Sequence, residues 1–203
     1  MTIQTPPSLP SEDAAWVRVT TPLSTQKLRE FCRDLERFYR INPLLEFAQW
    51  RSIGPNHYAL EAKNLSNGQQ IATEMQLNET DNGFKITYTT GLKTATLIHI
   101  ETQTDVKGTV LVIIDDYSGL PEAKRTQRLA EVDRSLEAWG QELYRYLHKW
   151  QRWAWFPPYR WYMGLWQSMK PMARRIAYTL IIITLFEFIA FLMIVGFWVI
   201  IDK

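Results

Sequence analysis

The residues able to carry chemistry in this chain are few and badly spaced for it. Its three histidines, His57, His99 and His148, fall in no HxH or HExxH pattern, and its one cysteine, Cys32, has no second thiol with which to form a CxxC pair. Metal-ion chemistry needs donors that converge on one point, so these spacings give a metal site little support. Cys32 sits within an apparent helical stripe and reads as a buried small hydrophobe rather than a nucleophile or ligand. Asp115 and Asp116 end an apolar run as a pair of carboxylates, the residue type that general acid and base work uses. Adjacent residues on a strand point to opposite faces, however, so the two cannot share one substrate, and a solvated strand end with turn-forming aspartates is the favoured expectation. There is no GxSxG and no glycine-rich phosphate loop. No catalytic residue, metal or cofactor is therefore assigned.

One acid stands where chemistry is costly. Residues Ile176 to Ile201 form a run of twenty-six residues interrupted by a single charge, Glu187. At about 1.5 Å per residue such a helix crosses a hydrocarbon layer of roughly 30 Å. Glu187 then lies near mid-bilayer, where an ionised side chain costs at least about 2.5 kcal/mol. Two explanations stay open: a protonated glutamate tolerated in a very apolar helix, or a hydrogen bond to a partner transmembrane helix.

Ahead of the span, Trp150 to Trp166 reads WQRWAWFPPYRWYMGLW, with five tryptophans, two tyrosines and a phenylalanine. Rings with one polar edge prefer the headgroup boundary, and arginine reaches phosphate from the same depth. Trp150, Trp153, Trp155, Tyr159, Arg160, Trp161, Trp166, Arg174 and Arg175 are the expected membrane-interface residues. Pro157 and Pro158 should break the preceding helix, a short interfacial helix should run from Tyr159 to Met169, and Pro171 should start the crossing. Residues 151–175 carry Arg152, Arg160, Lys170, Arg174 and Arg175 with no acid, whereas Asp202 and Lys203 alone follow the span. By the positive-inside rule the preceding residues are expected in the cytoplasm and the C-terminus on the opposite side. The opening MTIQTPPSLPSEDAAW lacks the basic and apolar regions of a secretory signal, and the lone cysteine suits a reducing compartment.

Residues 1–150 hold 17 Lys and Arg against 19 Asp and Glu, a net charge of 17 − 19 = −2. That balance argues against nucleic-acid binding, which wants a basic face. The elements that must position any site follow from periodicity. After a Pro-rich arm over 1–13, a strand is expected over Ala15 to Thr20, then one helix from Ser24 to near Arg40 with Leu28, Phe31, Cys32, Leu35 and Phe38 on a buried stripe. Alternating segments follow: Leu45 to Ile53, His57 to Leu65, Gln70 to Leu77, Phe84 to Thr90, Thr94 to Thr102 and Val106 to Tyr117, separated by glycine and Asn-Gly turns. From about Leu129 the period changes, and Leu129, Val132, Leu136, Trp139, Leu143, Leu147 and Trp150 mark one face of a helix of nearly thirty residues.

This order, with RFYRINPLLEFAQW closing the first helix and WGQELYRYLHKW closing the last, resembles the START-like or SRPBCC superfamily over residues 14–150. The resemblance implies an α+β helix-grip fold, a curved antiparallel sheet around a long C-terminal helix with an apolar cavity between them. Residues 151–175 would form a membrane-interface segment and 176–201 a transmembrane helix. Many members of that superfamily bind lipids, sterols, quinones or polyketides, and a minority do chemistry. The cavity candidates are Leu129, Val132, Leu136, Trp139 and Leu143 on the helix with Tyr88 and His99 on strands. Three functions stay in view: a membrane-tethered binding or transfer module for a lipid, quinone or isoprenoid; a noncatalytic accessory subunit of a membrane complex docking through Glu187; and a cyclase- or hydrolase-type enzyme. Membrane lipids and a transmembrane protein are the expected partners, and a bound lipid or quinone the expected ligand.

Overall fold

Period-two alternation, broken by tight turns, makes this chain a meander. A computed structural model describes residues 14–91, 93–102, 108–119 and 122–201, with side chains described there except at 122–134, 171, 199 and 200. The 1–13 arm, Asp202, Lys203 and the first residues of the expected Val106 to Tyr117 strand lie outside the described residues. The strands are β1 (Ala14–Thr21), β2 (Leu45–Gly54), β3 (His57–Asn64), β4 (Gln70–Thr80), β5 (Gly83–Tyr88), β6 (Ala95–Thr102) and β7 (Thr109–Asp116). They form one curved antiparallel sheet in the order β1-β7-β6-β5-β4-β3-β2, so the first strand closes against the last.

Between β1 and β2 lie α1 (Thr25–Arg33) and α2 (Leu35–Arg40), two helices where the stripe implied one. Asp34 leaves the helical region (φ −80°, ψ 80°), and its carboxylate accepts from the Arg37 N–H at 3.1 Å. A short acidic side chain that caps a new helix competes with continuing the old one. The stripe itself holds, since Leu28, Phe31, Cys32, Leu35 and Phe38 are all buried.

The long helix α3 (Glu122–Trp153) lies across the inner face of the sheet. Gly140 lets it come close to β1: a Cβ there would stand 2.5 Å from the Val17 methyl. Strand register separates two apolar faces. Ala15, Val19, Leu60, Met75, Leu77, Phe84, Ile86, Ile98, Leu111 and Ile113 point inward and pack with α1, α2 and α3, while Val110, Val112 and Ile114 form a second cluster on the outer face with Trp16 and Leu97.

Two prolines start the remaining helices, where a missing N–H costs nothing. Helix α4 runs Pro157–Ser168 and α5 Pro171–Ile201. Within α5, Met172–Trp198 is long and apolar enough to cross a membrane by length and composition, and it stands clear of the domain. Helix α4 does not lie free, however. Met163 is buried in the domain core, and Tyr159, Tyr162 and Trp166 pack against it.

Candidate functional site

Strand pairing places one acid on the inner face of β7. Leu111, Ile113 and Asp115 alternate inward, so the carboxylate of Asp115 enters the apolar interior at 1 % exposure. A buried charge needs partners, and Asp115 has three. Lys93, from the β5–β6 connection, forms an ion pair with Oδ2; Thr96 of β6 donates to Oδ1 at 2.6 Å; and the Tyr117 hydroxyl donates to Oδ2 at 3.4 Å. The network continues through the Tyr88 hydroxyl of β5, 2.7 Å from Thr96 Oγ1, to a close hydrogen bond with the Tyr39 hydroxyl of α2. Burial pushes both tyrosines above the ordinary phenol range, with the negative charge of Asp115 acting in the same direction, so both remain neutral donors.

This network forms part of the wall of a cavity of about 380 Å³. Tyr39, Tyr88, Lys93 and Tyr117 make its polar inner end; Leu44, Leu45, Leu60, Ile71 and Met75 line its apolar side; and Asn64, Gln69 and Gln70, around the β3–β4 turn, also line it. The volume falls in the range of small-ligand sites, which are mostly apolar with a few placed polar groups.

The sequence-derived candidates distribute unevenly. Tyr88 lines the cavity. Leu136, Trp139 and Leu143 face the sheet but are spent as packed core, with Trp139 Nε1 donating to the Phe38 carbonyl at 3.3 Å; among the described residues Ser135 is the one from α3 on the cavity wall. The side chains of Leu129 and Val132 lie outside the described residues. His99 is misplaced by the cavity expectation: it pairs with Val112 on the outer face, beside Leu97 and away from the cavity, because the period of two fixes its side. Asp115 also departs from the solvated-turn expectation, which holds only for Asp116, whose carboxylate accepts from the Ser118 N–H at 2.9 Å. An acid in the inward phase of Leu111 and Ile113 was the available signal for burial. Lys93, Thr96 and Tyr39 carried no comparable pattern. Cys32 is fully buried and its thiol is pushed up by desolvation, which suits packing rather than nucleophilic chemistry. Among the described residues no three His, Cys, Asp or Glu converge on a metal position.

The aromatic segment divides into two faces. Trp153, Trp155, Phe156, Arg160, Trp161 and Arg175 point outward, with Trp155 and Trp161 more than 70 % exposed. Trp150, Tyr159 and Trp166 instead turn toward the domain. The Arg37 guanidinium lies 4.1 Å from the centre of the Trp150 ring and donates to the Tyr146 hydroxyl at 2.6 Å, and Gln167 donates to the same oxygen at 3.0 Å. Arg174 corrects the interface expectation most clearly. Only 8 % exposed, it donates to the carbonyls of Trp166, Gln167 and Met169 at 2.9 to 3.1 Å and lies over the Trp166 ring. Carbonyls left open at a helix end attract such a cation, so Arg174 closes α4 instead of reaching lipid phosphate.

A curved seven-stranded antiparallel sheet gripping a long helix, with a cavity between them, defines the architecture. It is a helix-grip fold. No family model and no curated protein matches the chain. Among solved structures it is similar to a protein from Deinococcus radiodurans at 14 % identity, covering 68 % of this chain and 96 % of that one with a TM-score of 0.48. A conserved protein from Geobacillus kaustophilus gives 9 % identity, 68 % and 95 % coverage and a TM-score of 0.49. The di-domain ARO/CYC StfQ of the steffimycin biosynthetic pathway gives 9 % identity, 69 % and 52 % coverage and a TM-score of 0.49. Likeness at this level concerns the course of the chain and not its ligand.

Proposed function

We propose that this protein is a membrane-tethered module that binds or transfers a hydrophobic ligand of the lipid, quinone or isoprenoid class in the helix-grip cavity. The observation that carries this reading is the cavity itself, apolar along one side and polar at its inner end. Its position relative to α5 supports exchange with a bilayer: Leu45 lines the cavity, and the adjacent Glu46 accepts from Lys170 Nζ at 2.9 Å, one residue before α5 begins. That surface pair contributes little energy, and it supports the reading by joining the residue next to the cavity-lining Leu45 to the root of the apolar helix. The exposed Trp153, Trp155 and Trp161 then meet the headgroups, and the basic flank keeps the domain on the cytoplasmic side. Native mass spectrometry of the full chain, gently solubilised, tests the reading. The wild type should carry a small apolar molecule that Ile71→Trp, which fills the half-buried cavity wall, excludes. Ligand-free spectra for both proteins would reject it.

Glu187 favours a second, compatible role as a subunit of a larger membrane complex. It is exposed on α5 among apolar neighbours, where a carboxyl group wants a partner. Glu187→Gln should keep association with membrane partners, and Glu187→Leu should weaken it by about 1 kcal/mol. Equal recovery of every copurifying partner with Leu would remove this role.

A further inference from the structure

The direction of the hydrogen bonds at the inner end of the cavity limits what can bind there. In its ion pair with Lys93, the Asp115 carboxylate only accepts, so the Thr96 hydroxyl proton is committed to Oδ1. Thr96 has no second proton, and Tyr88 must therefore be the donor in their contact. With its own proton spent, Tyr88 accepts from Tyr39. The chain runs one way, from Tyr39 through Tyr88 and Thr96 to Asp115. Tyr39 consequently meets the cavity as an acceptor.

Lys93 presents the opposite character. An ammonium has three N–H groups, and among the described residues its hydrogen-bond acceptor is Asp115 alone. The side chain, 30 % exposed, lies on the cavity wall with donors left over. Its charge is already balanced by Asp115, and the lining tyrosines Tyr39 and Tyr88 are held neutral by burial. An anionic head group would enter this partly desolvated end with its counter-charge already taken.

We infer that the cavity selects a neutral amphiphile bearing both a carbonyl and a hydroxyl: the carbonyl accepts from Lys93 and the hydroxyl donates to Tyr39. The polar head lies inward, and the apolar remainder leaves along Leu44, Leu45 and Ile71. This assignment rests on the ligand-binding reading above and deepens it.

The test is calorimetric titration of the full chain in nanodiscs, with empty nanodiscs subtracted, using a matched medium-chain series: hydroxy ketone, ketone, carboxylate and alkane. The hydroxy ketone should bind most tightly, about threefold to tenfold better than the ketone, the scale of one net hydrogen bond. The carboxylate should bind more weakly than either. Tyr39→Phe leaves the Tyr88, Thr96 and Asp115 contacts in place, so it should erase the advantage of the hydroxy ketone and leave the ketone unchanged. Equal binding of hydroxy ketone and ketone to the wild type, or a carboxylate that binds as well as the hydroxy ketone, overturns the head-group assignment alone. Failure of all four probes to distinguish the wild type from Ile71→Trp overturns the cavity reading together with it.

Discussion

Two regions of this molecule are built from the same parts and end in opposite states. At the cavity, Tyr39, Tyr88 and Lys93 gather around a buried carboxylate; at the joint between domain and α5, Tyr146, Trp150 and Trp166 gather around Arg37 and Arg174. The joint spends its polar groups on its own chain. Arg174 occupies three carbonyls and a ring face, and the Tyr146 hydroxyl accepts from both Arg37 and Gln167. The cavity end spends its protons in one direction only, which leaves Tyr39 able to accept and Lys93 able to donate. Tyrosines and cations thus make a mechanical lock where, as at Arg37, Arg174 and Tyr146, the chain takes up their hydrogen bonds, and a recognition surface where donors and acceptors are left for a ligand.

Alkali should produce the largest effect and tell the two regions apart. Burial raises Tyr39 and Tyr88 strongly, whereas at Tyr146 the same burial is opposed by the charge and hydrogen bonds of Arg37. A phenol whose folded pKa lies above its unfolded value stabilises the fold fully below about pH 10 and loses that contribution as the pH rises toward the folded value. The full chain should therefore unfold cooperatively in strong alkali, with Tyr146 ionising before Tyr39 and Tyr88. Ultraviolet tyrosine titration against circular dichroism checks this; ionisation of every tyrosine near pH 10 without unfolding would show that the cavity end is open to water.

Next in size is Arg174→Ala, which removes a donor from three carbonyls at the end of α4, leaving that of Met169 without its Arg174 donor, and should cost about 1–3 kcal/mol of α4 docking. Hydrogen exchange should rise across Pro157–Ser168 while ligand binding at the cavity stays unchanged. A parallel loss of binding would mean that the two regions are coupled.

The smallest effect should carry the opposite sign. The Tyr159 hydroxyl is buried at the joint with no hydrogen-bond partner among the described residues, and its pKa is raised to about 12, chiefly by burial. Tyr159→Phe removes that unmet group and should stabilise the joint by about 1 kcal/mol, read as a higher thermal midpoint in detergent. A loss of stability would reveal a partner for this hydroxyl and make the joint less self-contained than the comparison holds.

Local pattern by itself determined the elements of this protein. The i, i+3, i+4 stripe from Leu28 to Phe38, the alternation through Ile71, Thr73, Met75 and Leu77, the proline breaks at Pro157 and Pro171, and the apolar length of α5 each depend on neighbours in sequence, and each stands in the structure. The site was decided by tertiary structure. Tyr39, Tyr88, Lys93, Thr96 and Asp115 span more than seventy positions and meet only because the sheet closes β7 against β6 and brings α2 over β5. The same closure turned His99 outward and drew Trp150, Tyr159, Trp166 and Arg174 from the expected membrane face into the domain. An aromatic ring or a guanidinium has the same affinity for a headgroup boundary as for a packed joint. Which one it meets depends on where a distant helix lies, and short-range periodicity does not encode that.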